Sequence, residues 1–167
     1  LPRLRRLAEL LHRHLPQQAV IALQGQLGAG KTRLAQEIAV AAGIAADDVT
    51  SPTFTLVQHY QGDRKIHHID AYRLADEDEF IELGGEELFE DEALVLVEWP
   101  QRIARSLPSR TLFLELEIDD AEPAAETEAG PSPQTTRTIR ASGRDPALRA
   151  ILGTISSQME PRSGAEA

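Results

Sequence analysis

The sequence predicts an α/β fold in which a mixed β-sheet is layered with helices. Three observations point to it. Two apolar runs of strand length, residues 19–24 and 93–97, are separated by segments with helical spacing. A glycine-rich turn follows the first run directly and opens onto a helix-forming stretch. Two strand-like runs, residues 55–60 and 65–70, flank Gln61-Gly62-Asp63-Arg64, the pattern of a β-hairpin, so parallel and antiparallel pairings occur together.

The elements follow in order. Leu4, Leu7, Leu10, Leu11 and Leu15 recur at helical spacing among arginines and histidines, giving an amphipathic helix that stops before Pro16. Residues 19–24 are mostly apolar and read as a buried strand. Residues 31–42 form the next helix, and Gly43 supplies its stop. After the hairpin, Asp76 with Glu79 makes a capping pair that opens a helix to about Leu83, and Gly84-Gly85 breaks it. Residues 93–97 are a second buried strand, running into Glu98-Trp99-Pro100. Leu112, Leu114, Leu116 and Ile118 alternate along a further strand, residues 137–141 suit one more, and Asp145-Pro146 starts a short final helix.

The domain reading is one unit over residues 1–156. Within it, residues 119–135 are rich in Ala, Glu, Pro and Thr and are expected to be a flexible insertion. Residues 157–167 are expected to be a disordered tail.

Composition narrows the function. The 167 residues suffice for a single core. With no cysteine, disulfides and thiolate metal sites are excluded, and a reducing compartment fits. No apolar run is long enough to cross a bilayer and no secretory signal is visible, so the expected location is cytoplasmic, without a membrane partner. A formal net charge of -10 opposes direct electrostatic capture of a nucleic-acid backbone. Arg3, Arg5, Arg6 and Arg13 crowd the start, whereas residues 76–92 are densely acidic. The plain reading of that stretch is a solvated face, and the alternative is a docking face for a basic partner.

The chemistry concentrates in Gly25-Gln26-Leu27-Gly28-Ala29-Gly30-Lys31-Thr32, which fits G-x-x-x-x-G-K-[ST] in the strand–turn–helix setting that this motif requires. Glycines at both ends let several backbone N–H groups converge, and the positive end of the following helix adds to that nest for phosphate oxygens. Lys31 adds a full charge that can reach the β- and γ-phosphates, and the Thr32 hydroxyl can ligate magnesium. The fold expected is therefore three-layered and like that of phosphate-loop (P-loop) NTPases. Gly25, Gly28, Ala29, Gly30, Lys31, Thr32 and Arg33 are the candidate nucleotide contacts. The chain has no asparagine, so the Asn-Lys-x-Asp guanine reader is missing and ATP with Mg2+ is the expected ligand.

Such a loop needs an acid to hold magnesium or polarise water. Asp70 and Glu98 each end an apolar strand, and ligands of open α/β sheets gather at strand C-terminal ends. His67 and His68 are adjacent on one strand, so they point to opposite faces and do not suit a shared ion. Trp99 reads as packing in preference to a base-stacking platform. Ser51-Pro52-Thr53-Phe54-Thr55 lies where nucleotide-sensing switches often lie, a fold-level analogy.

Four blocks occur in order: the phosphate loop, Ser51-Pro52-Thr53-Phe54-Thr55-Leu56-Val57, His68-Ile69-Asp70-Ala71-Tyr72-Arg73-Leu74 and Leu96-Val97-Glu98-Trp99-Pro100. Together they resemble the TsaE family, bacterial ATPase subunits of the tRNA threonylcarbamoyladenosine machinery. The resemblance implies an ATPase that is weak alone and works with the TsaB–TsaD heterodimer. That pair transfers threonylcarbamoyl to an adenosine beside the anticodon of ANN-decoding tRNAs, and ATP turnover resets the complex between cycles. It implies Thr32 and Glu98 as magnesium ligands, Asp70 as an acid needed for hydrolysis, Thr53 as part of a switch and Arg137 as a late nucleotide contact. Contact with tRNA would be indirect, through the partner subunits.

Two other functions compete. One is a small-molecule kinase of the phosphate-loop class, with Arg102, Arg105 and Arg110 as a lid over a transferring phosphoryl group. The other is a non-catalytic module gated by nucleotide, in which hydrolysis is incidental.

Overall fold

The computed structural model describes residues 2–49, 52, 55–118 and 137–160. Thr53 and the expected insertion at 119–135 lie outside the described residues.

A six-stranded sheet forms the middle layer, in the spatial order β2-β3-β4-β1-β5-β6. Its members are β1 (Ala19–Gln24), β2 (Val57–Gln61), β3 (Lys65–Asp70), β4 (Leu94–Glu98), β5 (Thr111–Ile118) and β6 (Arg137–Gly143). The four central strands run parallel, and β2 and β6 close the two edges antiparallel. The sheet is thus mixed and contains the expected hairpin, β2–β3. Because β1, β3 and β4 are parallel neighbours, their C-terminal ends open on one edge. Asp70 pairs in register with Glu98, and Glu98 with Leu23 two residues before the glycine loop.

Strand period decides which face each side chain takes. Along β4, Leu94 and Leu96 enter the core shared with α1 (Pro2–His14), α2 (Lys31–Ala41) and α5 (Pro146–Met159), whereas Val95 and Val97 enter the opposite core. That second core is closed by Phe80 of α3 (Glu77–Glu82), Phe89 of α4 (Glu87–Glu90) and Ile103. The same alternation puts Ile66, His68 and Asp70 of β3, with Glu98 of β4, on the face that carries α2.

Local chemistry sets the ends of the helices. Gly43 takes φ +81° behind α2. The Asp76 side chain accepts from the Glu79 N–H at 3.0 Å, as the capping pair predicts, and Asp145 caps α5 by accepting from Ala147 and Leu148. Two boundaries differ from expectation. The final helix is not short: it has 14 residues and runs to Met159, three residues into the expected tail. Leu148 and Ile155 on it are buried in the α1–α2 core, which holds the helix beyond what its propensity indicates. A one-turn helix, α4, also forms where the sequence signals only a break, anchored by buried Phe89.

Candidate functional site

The loop between β1 and α2 is built by positive-φ backbone. Gly25 has φ +143°, and a Cβ there would stand 2.4 Å from the Leu116 carbonyl oxygen of β5. Gly30 has φ +101° and caps α2, leaving the first turn of the helix without a side-chain cap. The positive end of α2 therefore faces the strand edge where Asp70 and Glu98 emerge.

Six candidate residues line a cleft of about 330 Å³ at this edge, Gly28, Gly30, Lys31, Thr32, Asp70 and Glu98, and Leu27, Tyr72 and Trp99 complete its wall. Lys31 is buried, and its Nζ donates to the carbonyls of Gly25 at 2.8 Å and Gln26 at 3.0 Å. The ammonium also lies 3.8 Å from the centroid of the Trp99 ring. Burial pushes the Lys31 pKa below its ordinary value, against the pull of the Glu98 and Asp70 carboxylates. Thr32 Oγ1 donates to Glu98 Oε2 at 2.9 Å. The other Glu98 oxygen, Oε1, is 2.9 Å from His68 Nε2, with both residues almost wholly buried. Asp70 is buried and accepts from the Tyr72 N–H at 3.1 Å, which turns the chain out of β3.

The other sequence candidates are placed as follows. Ala29 is fully buried beneath the loop, with its N–H bonded to the Gln26 carbonyl. Arg137 arrives from β6, its Nε 3.8 Å from where a Gly30 Cβ would stand, so a residue more than 100 positions distant flanks the loop. Arg33 does not line the cleft and instead pairs with Glu37 one turn along α2, at 2.6 Å. Two of the three arginines considered for a lid are engaged elsewhere: Arg105 with Glu77 and Asp78, Arg110 with Asp145.

Trp99 packs as the sequence suggests, 5.0 Å from the Tyr72 ring, yet it also walls the cleft. Its φ of +58° is left-handed, a conformation that costs a non-glycine residue about 1–3 kcal/mol and persists where its surroundings fix it. The residue that sequence reasoning missed is His68. Its neighbour in chain, His67, points to the other face and joins Asp91 and His59 at 3.0 and 2.7 Å.

Thr32 and Glu98 are hard oxygen donors within hydrogen-bonding distance of each other, a set that suits magnesium. Among the described residues no group of three or more His, Cys, Asp or Glu side chains is arranged to hold a metal. No helix among the described residues is long and apolar enough to cross a membrane.

A glycine loop between a central parallel strand and a helix, with acids at the ends of the next two parallel strands, defines a P-loop-like α/β protein. The crystal structure of Bacillus subtilis YdiB has the same fold, with a TM-score of 0.66 and 25% identity over 94% of this chain and 89% of that one. The family model described as threonylcarbamoyl adenosine biosynthesis protein TsaE matches residues 2–127. Proteins described as tRNA threonylcarbamoyladenosine biosynthesis protein TsaE are similar. That of Treponema pallidum is 38% identical over 64% of this chain and 78% of its own length. That of Haemophilus influenzae is 35% identical over 67% and 72%. The chain belongs to the TsaE family.

Proposed function

We propose that the protein binds ATP with Mg2+ in the cleft and hydrolyses it in support of tRNA threonylcarbamoyladenosine formation, together with TsaB and TsaD. The observation that carries this reading is the convergence of Lys31 and Thr32, at the start of α2, on Asp70 and Glu98, at adjacent parallel strand ends.

The roles follow from position and chemistry. Amides of the loop and of the first turn of α2 hold phosphate oxygens. Lys31 shifts its Nζ from the Gly25 and Gln26 carbonyls to the β- and γ-phosphates, keeping one strong charge where negative charge develops. Thr32 and Glu98 are the protein ligands for magnesium, which when bound neutralises phosphate charge. Asp70 holds the attacking water by accepting its hydrogen bond. The water oxygen bonds to the γ-phosphorus as one water proton passes by way of Asp70 to solvent, the bond from that phosphorus to the bridging oxygen breaks with its electron pair staying on that oxygen, and ADP and phosphate leave. Arg137 flanks the phosphates from β6, and Thr53 belongs to the segment that senses them.

Turnover resets the TsaB–TsaD complex between cycles, and tRNA is held by those partners, in keeping with the net charge of -10. The test is a titration of ATPase activity against purified TsaB–TsaD. Activity should be low alone and rise saturably with the heterodimer; equal turnover with and without it would refute the partnership.

A further inference from the structure

We propose that His68 is the positioning residue for Glu98, holding that carboxylate in the orientation that presents Oε2 to Thr32. The inference rests on reading the cleft as a magnesium–nucleotide site.

Glu98 is almost fully buried, and each of its oxygens has its own donor: Thr32 Oγ1 at 2.9 Å on Oε2 and His68 Nε2 at 2.9 Å on Oε1. An ionised carboxylate only accepts, so the His68 ring proton on this side sits on Nε2. The other ring nitrogen, Nδ1, is buried with no hydrogen-bond partner among the described residues. Among those residues the ring therefore has one polar engagement, with Glu98. The backbone makes that engagement rigid. His68 stands opposite Leu96 in the β3–β4 ladder, two residues before the Asp70–Glu98 pair and on the same face. A fully buried imidazole between Ile66 and Asp70 replaces the apolar side chain that the strand period would place there, and desolvating it costs free energy that packing alone does not offset. The geometry gives it a purpose: it occupies one carboxylate oxygen so that the other stays toward Thr32. Outer-shell partners of this kind orient ligands and tune metal affinity.

The test compares wild type, His68→Leu and His68→Gln, each checked for a cooperative melt. Calorimetry measures ATP binding without metal and then as a function of Mg2+. The leucine variant should bind metal-free ATP like wild type, because Lys31 and the loop amides are untouched. It should need about ten-fold or more Mg2+ for half of the metal-dependent gain. The glutamine variant keeps an N–H donor toward Glu98 and should stay within about threefold of wild type. Equal Mg2+ dependence in all three proteins, or equal impairment of both variants, overturns the proposal. A second measurement stands apart from nucleotide binding: nuclear magnetic resonance should find a slowly exchanging proton on His68 Nε2 in wild type, lost in Glu98→Ala. A ring proton on Nδ1 instead overturns the proposal even where the leucine variant fails to fold. Wild type that shows no Mg2+ effect on ATP binding while keeping the Nε2 proton would instead refute the underlying reading of the cleft.

Discussion

Thr32 Oγ1 donates to Glu98 Oε2 across 2.9 Å, tying the first turn of α2 to the end of β4. The two oxygens come from segments 66 positions apart, and the parallel β1–β4 pairing sets their distance. Thr32→Ser keeps the hydroxyl and should keep magnesium-dependent nucleotide binding. Thr32→Val keeps the shape without the ligand and should lose about ten-fold or more of the magnesium-dependent gain. Isothermal titration at fixed ATP with varied Mg2+ reads both.

Lys31 supplies the full charge. It is buried and wrapped by two loop carbonyls and the Trp99 face, so its head is already placed at the cleft. Lys31→Ala should weaken ATP binding by about 10–100-fold, the range expected for a charge-assisted hydrogen bond of about 1.5–3 kcal/mol. Competition against a fluorescent ATP analogue measures it.

Asp70 separates binding from turnover. Its carboxylate also caps the turn after β3 through the Tyr72 N–H, so alanine would disturb backbone as well as chemistry. Asp70→Asn retains an acceptor for that N–H. It should bind ATP within about threefold of wild type and hydrolyse it at least about ten-fold more slowly. Normal turnover by Asp70→Asn would remove the role assigned to it.

Gly25 is constrained by space and by backbone. At φ +143° a Cβ would meet the Leu116 carbonyl at 2.4 Å, a contact that β5 cannot relieve without breaking its ladder. Gly25→Ala should cost at least about 1–3 kcal/mol from the backbone alone. In a chain of this size each kcal/mol lowers Tm by about 2–4 °C. Thermal unfolding followed by circular dichroism checks this.

Acid should destabilise the fold from below neutrality. His12 and His59 both have pKa values under the ordinary imidazole value. Desolvation leads at half-buried His12, reinforced by Arg64; His59 is exposed, and there desolvation by its neighbours is joined by the effect of His67 and Lys65. The unfolded chain binds these protons more readily, so stability falls as pH drops through about 6.5. Tm should decline between about pH 7.5 and pH 5.5, and His12→Gln with His59→Gln should flatten that slope. Asp91 acts in a separate window: hydrogen bonds from Lys65 and then His67 hold it at about 2, so its contribution is present above the usual carboxylate range and fades as pH falls toward that value.

The loop and its acids were legible because each signal is local. A glycine-lysine-threonine pattern needs only its own neighbours, and Asp70 and Glu98 announce themselves by ending apolar runs. The helices on either side of the sheet follow from periodicity in the same way. The spatial order of the strands was not legible, since β1 enters between β4 and β5, partners 70 or more positions away in chain. The pairing of His68 with Glu98 depends on that order and on a register no spacing encodes. Arg33 looked like a loop contact because it follows Thr32, but helical geometry carries it to Glu37. Met159 is helical because α1 and α2 offer α5 a core to pack on, a tertiary reason invisible in the polar sequence around Ser156 and Ser157.

The central claim is that a triphosphate with magnesium is gripped at the mouth of α2. Calorimetric titration of the folded protein with Mg-ATP tests it most directly. Saturable binding that Lys31→Ala weakens by about 10–100-fold is the result predicted. An absence of saturable heat from protein that melts cooperatively would contradict it.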